Sequence, residues 1–343
     1  MKIQNIDIAL NRRKFIGTTI ATAATAGLSS GCVNQPTEIP NGVPISPFGN
    51  KSTAEEVTEG INLEGKTALV TGSNSGIGYE TARVFALRGA KVICAARSLE
   101  KAEKTSKSIL GDTSPLVFDL ADWPSIVSAT DKIKASENKI DMLICNAGIM
   151  ELPNLQQVYG IERQFAVNHL GHFILVRRLH EQLISSDQAR IVNVSSGAAT
   201  RLAPPEGIPF DNLSGELEYD PQLFYGISKL ANVLFTLELV NQYKNTNVTS
   251  NALRPGVIAT NLGRHLPRWK VLALETIGSL FTKTIPQGAA TTVHVATSPL
   301  LDKTTGHFFD DCNPVLAGGQ TRNFELAKKL WEVSAEITKN YLS

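Results

Sequence analysis

The chain has 343 residues, of which 42% are hydrophobic and 19% are charged, and its formal net charge at pH 7 is +1. An ordinary apolar fraction with balanced charges excludes a mainly disordered chain, and the lack of a basic excess argues against a nucleic-acid partner. The four cysteines are too few and too scattered for a disulfide framework, and neither they nor the six histidines have a metal-binding spacing. The composition therefore predicts a globular protein of one large domain or two modest ones.

Residues 1–32 predict an export signal. A stretch at 15–31 rich in Ala, Thr and Gly is too short and too polar to span a membrane. It follows four basic residues, Lys2, Arg12, Arg13 and Lys14. The string NRRKFI at 11–16 resembles a twin-arginine export signal, so we expect the protein in the periplasm or cell envelope. The alternative is a disordered basic leader on a cytoplasmic protein.

Cys32 and the residues after it separate this segment from the remainder. Leu28-Ser29-Ser30-Gly31 before Cys32 resembles a lipoprotein cleavage box, although the Leu lies four residues before the Cys where that pattern has three. Lipidation of Cys32 is therefore a further alternative, and a lipid anchor would be the only membrane contact. Residues 33–59 are rich in Pro, Asn, Gly and Ser without periodicity and predict a flexible linker. We assign 60–343 to one domain.

From Lys66 onward, short apolar runs alternate with amphipathic stretches. The apolar runs predict strands at 67–71, 91–96, 115–118, 141–145, 190–194 and 247–253. The amphipathic stretches predict helices at 78–87, 99–110, 123–135 and 161–183. Continuous apolar strands separated by helices are typical of a parallel sheet that is covered on both faces. The predicted fold class is α/β, a single doubly wound Rossmann-type domain with a central parallel sheet flanked by helices on both faces.

A glycine-rich turn joins the first predicted strand to the first predicted helix. Its residues are Gly72, Ser73, Asn74, Ser75, Gly76, Ile77 and Gly78. Glycines here permit a tight turn and allow the backbone to approach a pyrophosphate at the N-terminus of a helix. The turn therefore predicts a dinucleotide site, and a plain connection between a strand and a helix is the alternative.

The GxxxGxG spacing of this turn resembles that of the short-chain dehydrogenase/reductase family in its compact form. Further motifs of that family follow in register, namely Asp119-Leu120, Asn146-Ala147-Gly148, Asn168 in VNHLGH at 167–172, and Pro255-Gly256-Val257 with Thr260. The resemblance implies that Asp119 lies against adenine, that 146–148 support the sheet beside the cofactor, and that Asn168 has a structural and proton-relay role. It also implies that 255–260 orient the nicotinamide carboxamide and the phosphates. His169 and His172 are interpreted as packing or capping residues.

Tyr225 and Lys229 lie four residues apart in YGISK and would share one face of a helix. A free phenol has a pKa of ~10, and a neighbouring ammonium and an oxidised nicotinamide would each lower it. The pair therefore predicts Tyr225 as the acid–base group, and an ordinary surface pair is the alternative. The family resemblance adds a bond from Lys229 to the nicotinamide ribose and selects Ser196 as a donor to the substrate oxygen. Ser195 is expected to be a cap or turn residue.

The end of the second predicted strand bears on the choice of cofactor. No acidic residue is present there before Glu100, and Arg97 is placed to pair with a 2′-phosphate. NADP(H) is therefore favoured. If Arg97 stacks on adenine instead, the preference stays open and NAD(H) is the alternative.

The strings at 168–173 and 228–235, and the insertion at 201–224, resemble the branch of the family that contains the retinol dehydrogenases and the WW-domain oxidoreductase. An apolar segment at 261–286 predicts a lid over a lipophilic alcohol, aldehyde or ketone of retinoid, steroid or similar type. The alternative is that these side chains pack on the core. A homo-oligomer is left open.

Together these motifs predict an NADP(H)-preferring oxidoreductase that interconverts an alcohol and a carbonyl. Two other functions are compatible with the same motifs. One is reduction of a C=C bond, as in the related protochlorophyllide reductases. The other is a dinucleotide-binding sensor without turnover, which the presence of all four catalytic positions disfavours.

Overall fold

The structure is a computed structural model that describes residues 38–256, 258 and 282–342. The predicted export signal at 1–32, with Cys32, lies outside the described residues. Val257, Thr260 and most of the predicted lid at 261–286 lie outside them as well.

Strands and helices alternate along the described chain. The strands are β1 (Thr67–Thr71), β2 (Lys91–Ala96), β3 (Thr113–Val117), β4 (Met142–Cys145), β5 (Gln157–Val158), β6 (Ile161–Glu162), β7 (Ala189–Val194), β8 (Val248–Arg254), β9 (Phe308–Asp310) and β10 (Asn313–Val315). The helices are α1 (Gly76–Leu87), α2 (Leu99–Ser108), α3 (Trp123–Ser136), α4 (Arg163–Phe165), α5 (Gly171–Arg178), α6 (His180–Ile184), α7 (Ala198–Arg201), α8 (Pro221–Gln242), α9 (Ile285–Thr297) and α10 (Phe324–Thr338).

The central sheet has eight strands in the order β10-β9-β8-β7-β4-β1-β2-β3. Every neighbouring pair is parallel except β9 and β10, which are antiparallel at one margin. The strand order reverses between β1 and β4, the place where open α/β sheets bind their ligands. β5 and β6 form a separate antiparallel pair.

Helices pack on both faces of this sheet because successive side chains of each strand point to opposite sides. In β1, Leu69 belongs to one buried cluster, which α3, α5, α8 and α10 complete. Ala68 and Val70 belong to the other, which α1 and α9 complete. The predicted Rossmann-type α/β domain is therefore confirmed, with an added antiparallel strand at its margin.

The single helix predicted at 161–183 is interrupted in the structure. The segment begins with β6, continues through α4 into a π-helical segment at Ala166–Leu170, and ends as α5 and α6. A π-helical segment adds one residue to a helical turn and is frequent at functional sites. The apolar pattern could not reveal it because all five residues of that segment are buried.

Residues 46–59, called here the N-terminal strap, pack on the domain. The Ser46 hydroxyl donates to the carbonyl oxygen of Cys312 (3.0 Å), and the backbone N–H of Ala54 donates to that of Pro286 (2.9 Å). Ala54 and Val57 are buried in the core cluster that contains α1 and α9. The sequence assigns these residues to the flexible linker at 33–59, because a few apolar side chains scattered among polar ones give no periodic signal.

The carboxylate of Asp141 joins the amino ends of β1 and β4. It accepts the backbone N–H of Thr67 (2.8 Å) and the hydroxyl of Ser186 (2.8 Å), and the ammonium groups of Lys66 and Lys139 each lie 3.3 Å away. Burial raises the pKa of this carboxyl, but the two hydrogen bonds and the two lysines outweigh it and hold the pKa below its ordinary value. The charged carboxylate therefore stabilises the fold.

We expect Asp141→Asn to lower the free energy of unfolding by about 1–3 kcal/mol at pH 7, since it weakens a buried, charge-assisted network. Because the folded-state pKa is lowered, this stabilisation is present above the unfolded-state value of ~3.9 and is lost as the pH falls through the folded-state value. Urea denaturation at pH 7 and at successively lower pH measures the difference. Asp187→Asn, at an exposed position, is the control. A loss that does not shrink on acidification would contradict the prediction.

Candidate active site

Loops that leave the carboxyl ends of the parallel strands surround a cavity of about 1290 Å³. Ligand pockets of drug-sized molecules are roughly 300–1,000 Å³, so this cavity has room for a larger ligand. The predicted site residues that line it are Gly72, Asn74, Ser75, Gly76, Ile77, Gly78, Arg97, Asp119, Leu120, Asn146, Ala147, Gly148, Ser196, Tyr225, Lys229, Pro255 and Gly256. The fold thus brings together motifs that are up to 184 residues apart in the chain, from Gly72 to Gly256.

Two predicted residues lie behind the cavity wall, and two lie outside the described residues. Ser73 is fully buried, and both its N–H and its hydroxyl donate to the carbonyl oxygen of Ala95 (3.1 Å each), which fixes the glycine-rich turn against β2. Asn168 is fully buried, and its side chain forms hydrogen bonds with the backbone of Ile149 in the loop that follows β4. Val257 and Thr260 are the two that the structure does not describe.

The glycine-rich turn ends at the N-terminus of α1, where backbone N–H groups are available to an anion. Ser75 is the N-cap of α1, but its side chain makes no capping hydrogen bond. The first N–H groups of a helix lack intrahelical partners, and the helix dipole favours negative charge beside them. A Cβ on Gly78 would overlap the carbonyl oxygen of Gly72, so only glycine allows this turn and the helix to pack so closely.

The hydroxyl of Thr71, at the end of β1, holds two loops of the site together. It accepts the backbone N–H groups of Asn146 and Ala147 (2.9 Å each), and the Asn146 side chain donates to the Thr71 carbonyl oxygen (2.8 Å). The glycine-rich turn and the loop at 146–148 are therefore fixed to each other. Sequence reasoning did not include Thr71 among the site residues, although it immediately precedes Gly72.

Asn168 lies in the π-helical segment and fixes the loop that follows β4. Its side-chain oxygen accepts the N–H of Ile149 (2.9 Å), and its amide donates to the carbonyl oxygen of Ile149 (3.0 Å) and to the hydroxyl of Ser228 (2.9 Å). Ser228 lies between Tyr225 and Lys229 on α8. Asn168 therefore joins the β4 loop to the helix that carries the candidate catalytic pair.

Local sequence fixes where α8 begins and how Tyr225 is presented. Pro221 occupies the first position of the helix, and the N-cap Asp220 accepts the N–H of Leu223 (2.7 Å). Gly226 lies against the end of α7, where a Cβ would be 2.6 Å from the backbone nitrogen of Ala203. This close approach brings Tyr225 next to Ser196, which precedes α7.

The phenol of Tyr225 is only 5% exposed. Burial raises its pKa to about 12; a hydrogen bond with Ser196 acts in the lowering direction, and the nearby carboxylate of Glu151 adds to the increase. The sequence led us to expect a lowered value from Lys229. The Lys229 ammonium instead lies 5.8 Å from the centre of the Tyr225 ring and donates to the carbonyl oxygen of Val194 (3.0 Å). The phenol is therefore less acidic than an exposed tyrosine, which is the opposite of the expected shift.

Lys229 is a buried ammonium at the carboxyl end of β7. It is 4% exposed, and burial lowers its pKa to about 8. Within the described part of the chain, no carboxylate forms an ion pair with it. Its backbone carbonyl accepts the hydroxyl of Ser195 (2.7 Å), so Ser195 anchors α8 to the sheet and is not the cap or turn residue that the sequence led us to expect. Ser195 and Ser196 both line the cavity.

The cavity is also lined by several charged residues that the sequence analysis did not predict as site residues. Arg254 pairs with Asp310, and Lys283 pairs with Asp311, so these four charges largely cancel. Lys51 of the N-terminal strap also lines the cavity, near Gln287 at the start of α9, whose side chain donates to the Lys51 carbonyl oxygen (3.3 Å). Lys51 gave no signal because it lies in the predicted linker.

Arg97 follows β2 at the rim of the cavity and is exposed. Among the described ion pairs none involves Arg97, so its guanidinium is available to an incoming anion. Asp119 also lines the cavity, and its side chain accepts the N–H of Ala121 (2.9 Å). In the part of the chain that the structure describes, His, Cys, Asp and Glu side chains do not gather in threes as metal ligands would.

By length and composition alone, α8 is apolar enough to cross a membrane, and it is the one such helix among the described residues. However, 89% of its apolar window is buried inside the protein. Its hydropathy therefore reflects its central place in the core, where it carries Tyr225 and Lys229.

A parallel sheet with a glycine-rich turn at the first helix, and a tyrosine–lysine pair beside a serine at its carboxyl edge, define a dinucleotide-binding oxidoreductase of the Rossmann class. Residues 66–207 match the short chain dehydrogenase family. Retinol dehydrogenase 11 of Homo sapiens is 41% identical over 288 residues, which cover 82% of this chain and 88% of that protein. The chain belongs to the short-chain dehydrogenase family and is an oxidoreductase.

Other comparisons agree with this assignment. The short-chain dehydrogenase TIC 32 B, chloroplastic, of Brassica napus is 40% identical and covers 85% of this chain and 94% of its own length. A crystal structure of a protein from Mycobacterium paratuberculosis superposes with a TM-score of 0.68 at 31% identity, covering 84% of this chain and 98% of that one. The gluconate 5-dehydrogenase of Burkholderia cenocepacia, solved in complex with NADP and tartrate, has the same fold with a TM-score of 0.58 at 22% identity, covering 75% and 97% of the two chains.

We expect Lys229→Met to raise the free energy of unfolding of the dinucleotide-free protein by about 1–3 kcal/mol at pH 7, because it removes a buried charge at similar side-chain volume. The folded-state pKa of about 8 lies below the unfolded-state value of ~10.4. The charged lysine therefore destabilises the fold below about pH 8, and the wild type should gain stability as the pH rises towards ~10.4. Chemical denaturation at pH 7 and pH 9.5 measures this. A variant less stable than the wild type at pH 7 would contradict the prediction.

Proposed function

We propose that this chain interconverts an alcohol and a carbonyl with NADP(H) as the preferred cofactor, and that Tyr225 is the acid–base group. The observation that carries the proposal is the convergence of Ser196, Tyr225 and Lys229 with the glycine-rich turn on one cavity. The candidate catalytic groups and the candidate dinucleotide site therefore line the same cavity. A substrate bound there would lie next to both.

The residues present fit a dinucleotide. The uncapped N-terminus of α1 and the glycine-rich turn would hold the pyrophosphate, the half-buried Asp119 with Leu120 would border the adenine, and Lys229 would bind the nicotinamide ribose. When bound, the oxidised nicotinamide supplies the hydride acceptor and a positive charge that favours the phenolate of Tyr225.

The protein's own residues move the proton and hold the substrate oxygen. In the oxidising direction the Tyr225 phenolate accepts the hydroxyl proton of the alcohol, and the Ser196 hydroxyl donates a hydrogen bond to the same oxygen. In the reducing direction the Tyr225 phenol gives its proton to the oxygen of the former carbonyl. Lys229 supplies nearby positive charge that stabilises the phenolate. Asn168 keeps α8 and the β4 loop in place through Ser228 and Ile149.

A lipophilic substrate is supported by apolar side chains in the cavity wall. Ile149, Met150 and Val167 are among the residues that line the cavity. Proteins named retinol dehydrogenase are among the relatives at 40–41% identity. Both observations support a lipophilic alcohol, aldehyde or ketone of retinoid, steroid or similar type as the proposed substrate class.

NADP(H) preference is supported by Arg97, which follows β2 where a 2′-phosphate is recognised in this fold. Its guanidinium is exposed at the cavity rim and forms none of the described ion pairs. β2 itself contains no carboxylate to bind the 2′-hydroxyl of NAD(H).

We expect Tyr225→Phe to lower kcat for NADPH-dependent reduction of a lipophilic aldehyde at least about a hundredfold, because the proton donor is lost. The Kd for NADPH should stay within about twofold, since Ser196, Lys229 and the glycine-rich turn are unchanged. Turnover and NADPH fluorescence titration measure the two. Tyr243→Phe, at a buried tyrosine outside the cavity lining, is the control. Aldehyde reduction that survives in Tyr225→Phe would refute the proposed mechanism.

We expect Arg97→Ala to raise the Kd for NADP(H) roughly 10–100-fold and to leave the Kd for NAD(H) within about threefold, because only NADP(H) carries the 2′-phosphate. Titration of each dinucleotide in wild type and variant gives the four constants. Lys104→Ala, an exposed cation on α2, controls for a general loss of positive charge. Tighter NAD(H) than NADP(H) binding by the wild type, with no effect of Arg97→Ala, would overturn the preference.

A further inference from the structure

His172 lies between the loops of the candidate dinucleotide site, which are the glycine-rich turn and the loop at 146–148, and α8, which carries Tyr225 and Lys229. It has no role in the proposed chemistry. It is buried on α5, two residues after the last residue of the π-helical segment. Its Nε2 is 2.9 Å from the hydroxyl of Thr71, and its Nδ1 is 3.0 Å from the carbonyl oxygen of Asn168. The imidazole therefore bridges the end of β1 and the segment that holds Asn168.

The partners of His172 decide which ring nitrogen carries the proton. A carbonyl oxygen can only accept, so Nδ1 donates to Asn168. Burial lowers the pKa of His172 to about 4, so the ring is neutral near pH 7 and Nε2 is an acceptor. Nε2 then accepts the hydroxyl proton of Thr71. The competing acceptor, the carbonyl oxygen of Ile144, is more distant (3.2 Å) and already accepts the N–H of Asn146 (3.0 Å).

With these directions assigned, hydrogen bonds connect the phosphate side of the cavity to the catalytic tyrosine. The Thr71 hydroxyl holds the loop at 146–148 and donates to His172, and His172 donates to the Asn168 carbonyl oxygen. The Asn168 amide donates to the Ser228 hydroxyl (2.9 Å), which donates to the Tyr225 carbonyl oxygen (2.8 Å). Each donor and each acceptor in this series has a partner, so the series has one direction.

We propose that His172 is a positioning residue that couples the dinucleotide loops to the catalytic helix. Its acceptor nitrogen fixes the orientation of the Thr71 hydroxyl. Through that hydroxyl it fixes the positions of the glycine-rich turn and the loop at 146–148. Its donor nitrogen fixes the position of the π-helical segment that contains Asn168. Through Asn168 and Ser228 it fixes the position of Tyr225. The part of this inference that concerns turnover rests on the proposed function, whereas the part that concerns dinucleotide binding does not.

Two substitutions separate the two hydrogen bonds. His172→Gln carries its amide oxygen near the position of Nε2 and can keep the acceptor for Thr71, while the Nδ1 donor is lost. His172→Asn carries its amide nitrogen near the position of Nδ1 and can keep the donor to Asn168, while the acceptor for Thr71 is lost. We expect His172→Asn to raise the Kd for NADPH roughly tenfold with a smaller change in kcat, and His172→Gln to lower kcat roughly tenfold with a smaller change in Kd.

A double-mutant cycle tests the coupling with binding alone. We expect His172→Phe to raise the Kd for NADPH roughly tenfold in the wild-type background and less than about threefold in the Thr71→Val background, because the bond between the two side chains is already absent there. His169→Phe is the matched control. His169 is also a buried histidine, but its Nε2 contacts the Ser334 hydroxyl on α10 (2.8 Å), away from Thr71.

The inference fails if His172→Phe changes the Kd no more than His169→Phe does, or if the effects of Thr71→Val and His172→Phe simply multiply. Should His172→Phe not fold, the cycle is run with His172→Asn, which retains a polar side chain of similar branching, and the same two outcomes decide. If the wild type reduces none of the carbonyl compounds tested, the proposed function is wrong, and NADPH titration still decides whether His172 and Thr71 are coupled.

Discussion

The parallel pairing of β1, β4 and β7 is the constraint on which the site depends. Val70 of β1 lies opposite Ile144 of β4, which lies opposite Val192 of β7, so the three strands end at almost the same level. The chain therefore leaves the sheet at one edge in three successive places. These exits supply the glycine-rich turn, the loop at 146–148 and the two serines. A shift of one residue in this register would turn every buried side chain of a strand to the other face and separate the three loops.

The energetic state of the catalytic pair follows from the same burial. A phenol with a raised pKa and an ammonium with a lowered pKa lie together in the wall of the cavity without a described carboxylate partner for the ammonium. Near pH 7 the phenol is therefore neutral, whereas the lysine stays mostly charged in a buried place. The buried positive charge is costly to the fold, but in the proposed mechanism it is the form of Lys229 that stabilises the Tyr225 phenolate. Stability and activity therefore oppose each other at Lys229. Active sites commonly have this property because the perturbed groups are also the reactive ones.

Periodicity and turn chemistry were enough to predict the sheet and the order of its site loops. Six strands were predicted close to their observed bounds, in most cases because an apolar run is bounded by polar or glycine residues. β9 and β10 were not predicted because each has only three residues. The N-terminal strap was missed because its anchors, such as the Ser46 hydroxyl on the Cys312 carbonyl oxygen, are contacts over 266 residues of sequence.

Site residues could be predicted where a motif reflects a structural requirement among residues close in the sequence. They could not be predicted where residues far apart in the sequence come into contact. The close packing of Gly78 on Gly72 is a local requirement, and so is the spacing of Tyr225 and Lys229. The contact of His172 with Thr71 joins residues 101 positions apart, and nothing in either neighbourhood indicates the other. The raised pKa of Tyr225 was likewise out of reach, because it depends on how completely the phenol is buried.

Each margin of the sheet has a feature that hinders pairing with the strand of a second chain. At one margin β3 contains Pro115, which has no N–H to donate. At the other, Asn313 of β10 uses its side chain to hold the strap, accepting the N–H of Ser46 and donating to the carbonyl oxygen of Phe48, and Leu316 just beyond β10 donates its N–H to Glu38. These features reduce the risk of edge-to-edge aggregation through the sheet.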